Sequence, residues 1–152
     1  MPLAARDLID FNSYPISTPG PLRDAILNRV RGELELFGCA VLKGFLTPKG
    51  IAAAVAEAGG VADKGHRSCS RTNAYFTTED PSLPETDPRR RFFDRSNAFI
   101  PADNFQADGA LRTIVDSAGF DTFIRECLQE PEDSFFRYAD PLADVIVNAA
   151  WE

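Results

Sequence analysis

The amino-acid sequence predicts an α+β protein, with helices concentrated early and in the middle and strands that increase toward the C-terminus. Apolar residues recur at steps of three and four across residues 22–37, which is the spacing of one helix face. Runs of aromatic and β-branched residues at 74–78 and 144–151 have the composition of strands. The early elements follow one another through short links, in the order helix, strand, helix.

The length and composition indicate that residues 1–152 form a single domain or a partial domain. Apolar residues make up 44% of the chain and include twelve phenylalanines, which suits a folded protein with a hydrophobic core. A net charge of −7 argues against nonspecific binding to nucleic acid and against an anionic membrane surface. No apolar run approaches the roughly 20 residues that span a bilayer, and residues 1–10 do not resemble a secretory signal.

The three cysteines indicate neither a zinc site nor a disulfide framework. Cys39, Cys69 and Cys127 are widely spaced, and no CxxC pair exists. A reducing cytoplasm is the simplest setting for such a chain. Cys39 and Cys127 lie in apolar segments and are expected in the core. Cys69 lies among basic residues, but no base partner for a nucleophilic role is evident.

The first half of the chain predicts two helices around a short strand. A helix over residues 22–37 is followed by a glycine that suits the left-handed conformation closing a helix. Residues 39–42 are expected to form a short buried strand. A second helix begins with the Thr47 hydroxyl as its cap and with a proline in its first turn. Ile51 and Val55 of this helix are expected to face inward.

The rest of the chain is predicted to alternate between polar connections, strands and short helices. In order, the expected segments are a polar connection (61–72), a strand (74–78), an exposed proline-rich loop (79–88), two helices (108–117 and 121–128) and two strands (134–138 and 144–151). Asp108 is expected to cap the first of these helices, and Gly119 to end it. Asp140 and Asp144, which flank the last strand, are expected to face solvent.

The most distinctive stretch is residues 89–105, where basic, aromatic and short polar side chains are interleaved. It carries four of the sixteen basic residues of an acidic chain. This composition suits a small-anion site with apolar walls, and it also suits a strand and loop whose charges face water. The arginines at 89–91 are better explained as solvated charges that close the acidic loop. Arg95 and Asn97 remain as the candidate ligand contacts.

The sequence contains no complete catalytic motif. Its single histidine, His66, lies in a polar segment predicted to be a loop, where a solvated side chain is the simplest explanation. Because no His-x-Asp or His-x-Glu pair exists, the facial triad of a non-haem iron site cannot be assembled from this chain. Glu152 follows Trp151, and such a pair suits either an exposed end or an acceptor for a substrate ammonium group beside an apolar wall.

Three segments resemble the N-terminal half of non-haem iron(II), 2-oxoglutarate-dependent oxygenases, and more closely the branch of amino-acid hydroxylases and radical halogenases. The sequence Glu-Leu-Phe-Gly-Cys-Ala-Val-Leu-Lys-Gly-Phe-Leu at 35–46 is similar to the family's helix, glycine, buried strand and exit. Residues 91–97 resemble its middle segment. Residues 144–152 resemble the strand that leads into the iron motif.

This resemblance implies the helical layer and the first strands of a double-stranded β-helix, or jelly roll. It implies an enzyme that uses Fe(II) and 2-oxoglutarate to hydroxylate or halogenate an aliphatic C–H bond of a free amino acid or a similar small polar molecule. The family's iron ligands have no match in this chain, so neither cofactor is expected to bind this chain alone. Arg95 and Asn97 would contact substrate or co-substrate, and Glu152 would contact the substrate ammonium group.

The resemblance also implies a partner, since the remaining C-terminal half or a second chain would have to supply the iron site. Two alternatives stay open. The chain could be a metal-free module that associates through its C-terminal strand, as a homodimer or with another protein. It could also be a small-anion binder that uses residues 89–97.

Overall fold

The computed structural model describes residues 3–133, 137 and 140–149, and within them the protein is α+β, as predicted. The helices of this part are α1 (Ala5–Leu8), α2 (Pro21–Phe37), α3 (Pro48–Gly60), α4 (Ala110–Val115) and α5 (Phe120–Cys127). The strands are β1 (His66–Thr72), β2 (Phe93–Ile100) and β3 (Val147–Ala149).

The three strands form one antiparallel sheet in the order β1-β2-β3. β1 pairs with β2 along its whole length, from His66 opposite Phe99 to Thr72 opposite Phe93. β3 pairs with the end of β2, where Asn148 lies opposite Phe99. β2 is therefore the central strand, and it fixes which side chains share a face of the sheet.

The main hydrophobic core lies between α2 and α5. Ile26 and Val30 of α2 are buried in one cluster with Phe123 of α5. The predicted helix is confirmed, but its apolar stripe is buried only in the middle, since Leu22 and Phe37 near its ends are exposed. α5 has 8 residues against 17 in α2, and at about 1.5 Å per residue it is too short to cover both ends.

The segment after α2 is a loop, so the strand predicted over residues 39–42 is wrong. Gly38 closes the helix with a φ of 70°, as predicted. Beyond it, Ala40 and Leu42 pack against the α2–α5 core while Val41 is exposed. This alternation suits an extended segment, but within the described residues no strand pairs with it.

α3 packs through its smallest residues. Thr47 caps the helix as predicted, and its hydroxyl accepts a hydrogen bond from the Gly50 amide at 3.0 Å. Gly50 approaches α1 so closely that a Cβ there would overlap the Leu8 carbonyl group. The expectation that Ile51 and Val55 face inward is wrong. They are 52% and 66% exposed, because the glycine and alanine side of α3 permits the closer packing.

Gly50→Ala is expected to destabilise the protein by about 2–3 kcal/mol, because the added methyl group would meet backbone atoms of Leu8 rather than a movable side chain. Gly59→Ala, in the same helix, is the matched control. A Cβ at Gly59 has open space around it, so stability should stay the same or rise by about 0.5–1 kcal/mol. Urea denaturation measures both variants, and equal midpoints would contradict the tight seating of α1 on α3.

The region between α3 and β2 differs from its prediction in two segments. The segment 61–72, expected to be a polar connection, contains β1. Six of the seven residues of β1 are exposed, so the strand is polar and its composition did not indicate a strand. The strand expected at 74–78 is instead a turn, in which Phe76 has a φ of 56°. Residues 79–88 form a largely exposed loop, as predicted. Aromatic and β-branched composition thus marked the wrong one of two neighbouring segments as a strand.

The two helices predicted after β2 are present as α4 and α5. The predicted cap at Asp108 is wrong, because α4 begins after Gly109 with no side-chain cap. Instead, the Glu57 carboxylate of α3 accepts a hydrogen bond from the Leu111 amide at 2.8 Å. This long-range contact satisfies one of the free amides at the start of α4. Gly119 has a φ of 85°, which suits the predicted stop between the helices.

The C-terminal strand is confirmed only as β3, within the range predicted at 144–151. The rest of that range after β3, and the strand predicted at 134–138 apart from residue 137, lie outside the described residues. Asp144, expected to face solvent, is paired with Arg112 of α4 through two hydrogen bonds of 2.5 and 3.0 Å. The hydrogen bond from Arg112 holds the pKa of Asp144 below its usual value.

An ion pair joins α2 to α5 at the edge of the core. Arg23, which is 8% exposed, donates to the Glu126 carboxylate at 2.7 Å and to the Ile16 carbonyl oxygen at 2.9 Å. The Glu126 side chain is 27% exposed, and its hydrogen bond from Arg23 holds its pKa below the usual value. Removing the carboxylate would leave a buried guanidinium partly unpaired.

Glu126→Gln is expected to reduce the acid sensitivity of the fold. Folding lowers the pKa of Glu126 from 4.5, so the pair contributes stability above that pH and loses it as the pH falls through the folded-state pKa. The unfolding free energy should therefore fall less steeply below pH 4.5 in the variant. At neutral pH the variant should be about 1–3 kcal/mol less stable than wild type.

Glu33→Gln provides the control, because Glu33 pairs with Arg29 on the exposed side of α2. Such an exposed pair contributes little, so the control should follow the wild-type curve within about 0.5 kcal/mol. Urea denaturation across a pH series gives these curves. If the unfolding free energies of wild type and Glu126→Gln change with pH in parallel, the Glu126 carboxylate does not couple folding to pH.

Candidate functional site

The two faces of the β1–β2 ribbon differ in composition and burial. Side chains alternate between faces along a strand, so the register brings every second residue of the two strands together. One side, called the outer sheet face below, consists of His66, Ser68, Ser70, Thr72, Phe93, Arg95, Asn97 and Phe99. It contains no carboxylate, although the whole chain carries a net charge of −7.

The opposite side of the sheet faces α3 at one end. Ala98 and Ile100 are only 2% and 3% exposed there, and they border an apolar groove of about 300 Å³. The other residues that line this groove are Val55, Ala58, Gly59, Ala62 and Val147. Because Ala98 and Ile100 of β2 face α3, the residues that alternate with them, Arg95 and Asn97, are turned away from α3.

Arg95 and Asn97, the two candidates from the sequence, lie together on the outer sheet face, about 7 Å apart along the strand. The guanidinium carbon of Arg95 lies 5.7 Å from the centroid of the Phe76 ring. Asn97 accepts a hydrogen bond at its Oδ1 from the Ser68 hydroxyl at 2.5 Å. In the described structure no carboxylate pairs with Arg95, so its N–H groups remain for a ligand.

A buried asparagine organises the connection between β1 and β2. Asn73 directly follows β1 and is 0% exposed. Its carboxamide oxygen accepts hydrogen bonds from the amides of Tyr75 and Thr77 at 3.0 and 3.1 Å. Its Nδ2 donates to the Thr77 hydroxyl at 2.9 Å and to the Arg89 carbonyl oxygen at 2.5 Å. One side chain thus ties the turn after β1 to the end of the loop before β2.

The turn held by Asn73 places Phe76 in an unusual backbone conformation. Its φ of 56° lies in the left-handed region, which bulky side chains rarely adopt. Its amide donates to the Asn73 carbonyl oxygen at 3.1 Å, while the residue is 74% exposed. The ring lies beside the Arg95 guanidinium, within reach of a cation–π attraction. A strained residue held by its surroundings at such a position suggests a function.

Two of the four acids of the adjoining loop, Asp80 and Asp87, are engaged within the loop itself. Asp87 accepts hydrogen bonds from the Arg89 guanidinium at 2.8 and 3.0 Å, and these lower the pKa of Asp87 to about 2. Asp80 accepts hydrogen bonds from the amide and the hydroxyl of Ser82 at 2.9 and 2.6 Å. Arg89 therefore closes the acidic loop, in keeping with its interpretation from the sequence, whereas Arg95 lies beyond it on the sheet.

His66 and the cysteines form no catalytic group within the described residues. His66 belongs to β1 rather than to the predicted loop, and its ring lies 5.1 Å from that of Phe99. Cys69 is exposed on the other side of β1. Cys39 is also exposed, so its predicted place in the core is wrong. Cys127 is buried as predicted, and burial raises the pKa of its thiol.

The described residues do not fit the iron that the family resemblance implies. No three of their His, Cys, Asp and Glu side chains lie close enough together to hold a metal ion. The whole sequence has one histidine, whereas the facial triad of non-haem iron enzymes uses two. Glu152 and Trp151, predicted to contact a substrate ammonium group, lie outside the described residues.

Comparison of the chain with known protein families, with characterised proteins and with solved structures gives no match. Among the described residues, none of the helices has both the length and the apolar character needed to cross a membrane. The function is therefore inferred from the chemistry of the outer sheet face.

Asn73 and Phe76 are the site residues that sequence reasoning missed. An asparagine directly after a polar segment is a turn signal, because its side chain readily bonds to the following backbone. The strand-like composition of residues 74–78 concealed that signal. Nothing in the sequence marks Phe76 for a positive φ, a conformation that glycine usually adopts.

Asn73→Asp is expected to destabilise the protein by about 1–3 kcal/mol at neutral pH. A carboxylate could still accept from the two amides, but it would have no hydrogen to donate to the Thr77 and Arg89 carbonyl oxygens. Asn28→Asp, on the exposed side of α2, is the control and should stay within about 0.5 kcal/mol of wild type. Urea denaturation with amide exchange at Tyr75 and Thr77 measures the effect. Equal stability of the two variants would contradict the role given to Asn73.

Proposed function

We propose that this chain is the N-terminal portion of an iron(II)- and 2-oxoglutarate-dependent oxygenase that acts on a free amino acid or a similar small polar molecule. The outer sheet face would form one wall of its substrate pocket. The observation that carries this proposal is the joint placement of Arg95 and Asn97. Both lie on an outer face that has no acidic residue and that carries aromatic rings.

The two side chains offer complementary donors to a small acid. The planar guanidinium of Arg95 can bind a carboxylate through two parallel hydrogen bonds. Asn97 uses its oxygen to accept from Ser68, so its Nδ2 hydrogens are what it can offer to a ligand oxygen. Because both groups project from one paired strand, their separation is fixed, and a bound molecule would be held in one orientation.

The oxidising chemistry would come from Fe(II) and 2-oxoglutarate held by other residues. Since the described residues do not fit iron, the ligands would belong to a C-terminal half of the enzyme or to a second chain. In this proposal the β1–β3 sheet represents the first strands of a jelly roll, and the helices represent its outer layer. The free thiols of Cys39 and Cys69 suit a cytoplasmic setting.

Arg95→Ala is expected to abolish the binding of free amino acids to the outer sheet face. A single exposed site of this kind supports a dissociation constant of about 1 mM, so NMR titration of the labelled chain is the suitable measurement. Wild-type protein should show shifts at the amides of Ser68, Ser70 and Asn97. Arg29→Ala, which removes another exposed arginine from α2, should behave as wild type. Shifts that persist in Arg95→Ala would remove this face from the proposal.

A further inference from the structure

Two exposed phenylalanines lie near Arg95. Phe93 precedes it by two residues on the same side of β2 and is 51% exposed. Phe76 reaches its guanidinium from the turn after β1 and is 74% exposed. Exposed phenylalanine surface is unfavourable in water, so two such side chains near a charged donor indicate a surface that meets a ligand.

Core packing does not explain the position of Phe76. Three quarters of the residue is exposed, and its ring lies against the Arg95 guanidinium. Glycine would adopt a φ of 56° without strain, whereas phenylalanine is held there by the hydrogen bonds of Asn73. The structure therefore maintains an unfavourable backbone conformation whose visible result is an aromatic ring beside Arg95.

We propose that the outer sheet face selects carboxylates that carry an apolar body. Arg95 would bind the carboxylate, and the apolar body would lie against the rings of Phe76 and Phe93. Phe76 is then a specificity-determining residue, and Asn73 is the positioning residue that holds it. This inference rests on the proposed function and narrows its substrate to those free amino acids and similar acids that carry an apolar side chain.

The chemistry of the face also defines a simple probe. Because none of its eight residues is acidic, the outer sheet face itself offers no counter-charge for an ammonium group. A monocarboxylate without an amino group is therefore sufficient. Phenylacetate and acetate carry the same charge and differ only in the apolar body, so their affinity ratio reports the contribution of the aromatic side chains.

NMR titration with both acids tests the inference. Wild-type protein should bind phenylacetate about two- to tenfold more tightly than acetate. Phe76→Gly should remove most of this preference by weakening phenylacetate binding far more than acetate binding, and it should keep or raise the melting temperature because the strain at φ 56° is relieved. Asn73→Ala should also reduce the preference. Phe76→Tyr should retain it, and Phe37→Ala, which removes another exposed phenylalanine, should change nothing.

The outcomes separate this inference from the proposed function. If wild type binds neither acid, or if Arg95→Ala changes the binding of neither, the outer sheet face is not a carboxylate site and both proposals fail. If Arg95→Ala weakens the binding of both acids while Phe76→Gly still prefers phenylacetate over acetate, the carboxylate site stands and only the selection by Phe76 is wrong. A lower melting temperature for Phe76→Gly would show that the ring supports the fold, which also overturns the inference.

Discussion

The candidate site depends on the hydrogen bonds of one buried carboxamide. The connection between β1 and β2 has little apolar burial of its own, since Tyr75 is 55% and Phe76 is 74% exposed. The Asn73 side chain stabilises this connection instead, because its oxygen and its nitrogen both form hydrogen bonds within it. Hydrogen bonds of a buried polar group are strong when every donor and acceptor is satisfied. The turn, the ring of Phe76 and the surroundings of Arg95 follow from that one side chain.

The arginines of the protein differ in whether a carboxylate pairs with them. Several arginines outside the sheet pair with carboxylates, namely Arg23 with Glu126, Arg112 with Asp144, and Arg137 with Asp116 and Asp121. Arg95 instead stands beside an aromatic ring, and no carboxylate pairs with it in the part of the chain that is described. In an acidic protein such a guanidinium is a local positive feature, which favours the approach of small anions to the outer sheet face.

The parts of the fold that could be predicted are those with local causes. The periodicity of α2, its closing Gly38 and the Thr47 cap each act within a few residues, and each was predicted correctly. The errors came from longer-range packing. The close contact at Gly50 left Val55 exposed, and among the described residues no strand pairs with the segment after Gly38, where a strand was expected. For the site, the sequence could predict that Arg95 and Asn97 share a face, because side chains alternate between the two faces of a strand. It could not predict the contact of Arg95 with Phe76, because that contact depends on the conformation of the turn after β1.

The most direct test is an NMR measurement of the contact between Phe76 and Arg95 in wild-type protein and in Asn73→Ala. Wild type is expected to show nuclear Overhauser effects between the Phe76 ring and the Arg95 side chain, with ring-current shifts of the Arg95 methylene protons. Asn73→Ala should lose both signals while keeping those of the α2–α5 core. The absence of the contact in wild type, or its survival in Asn73→Ala, would contradict the conclusion that the Asn73 carboxamide builds the site.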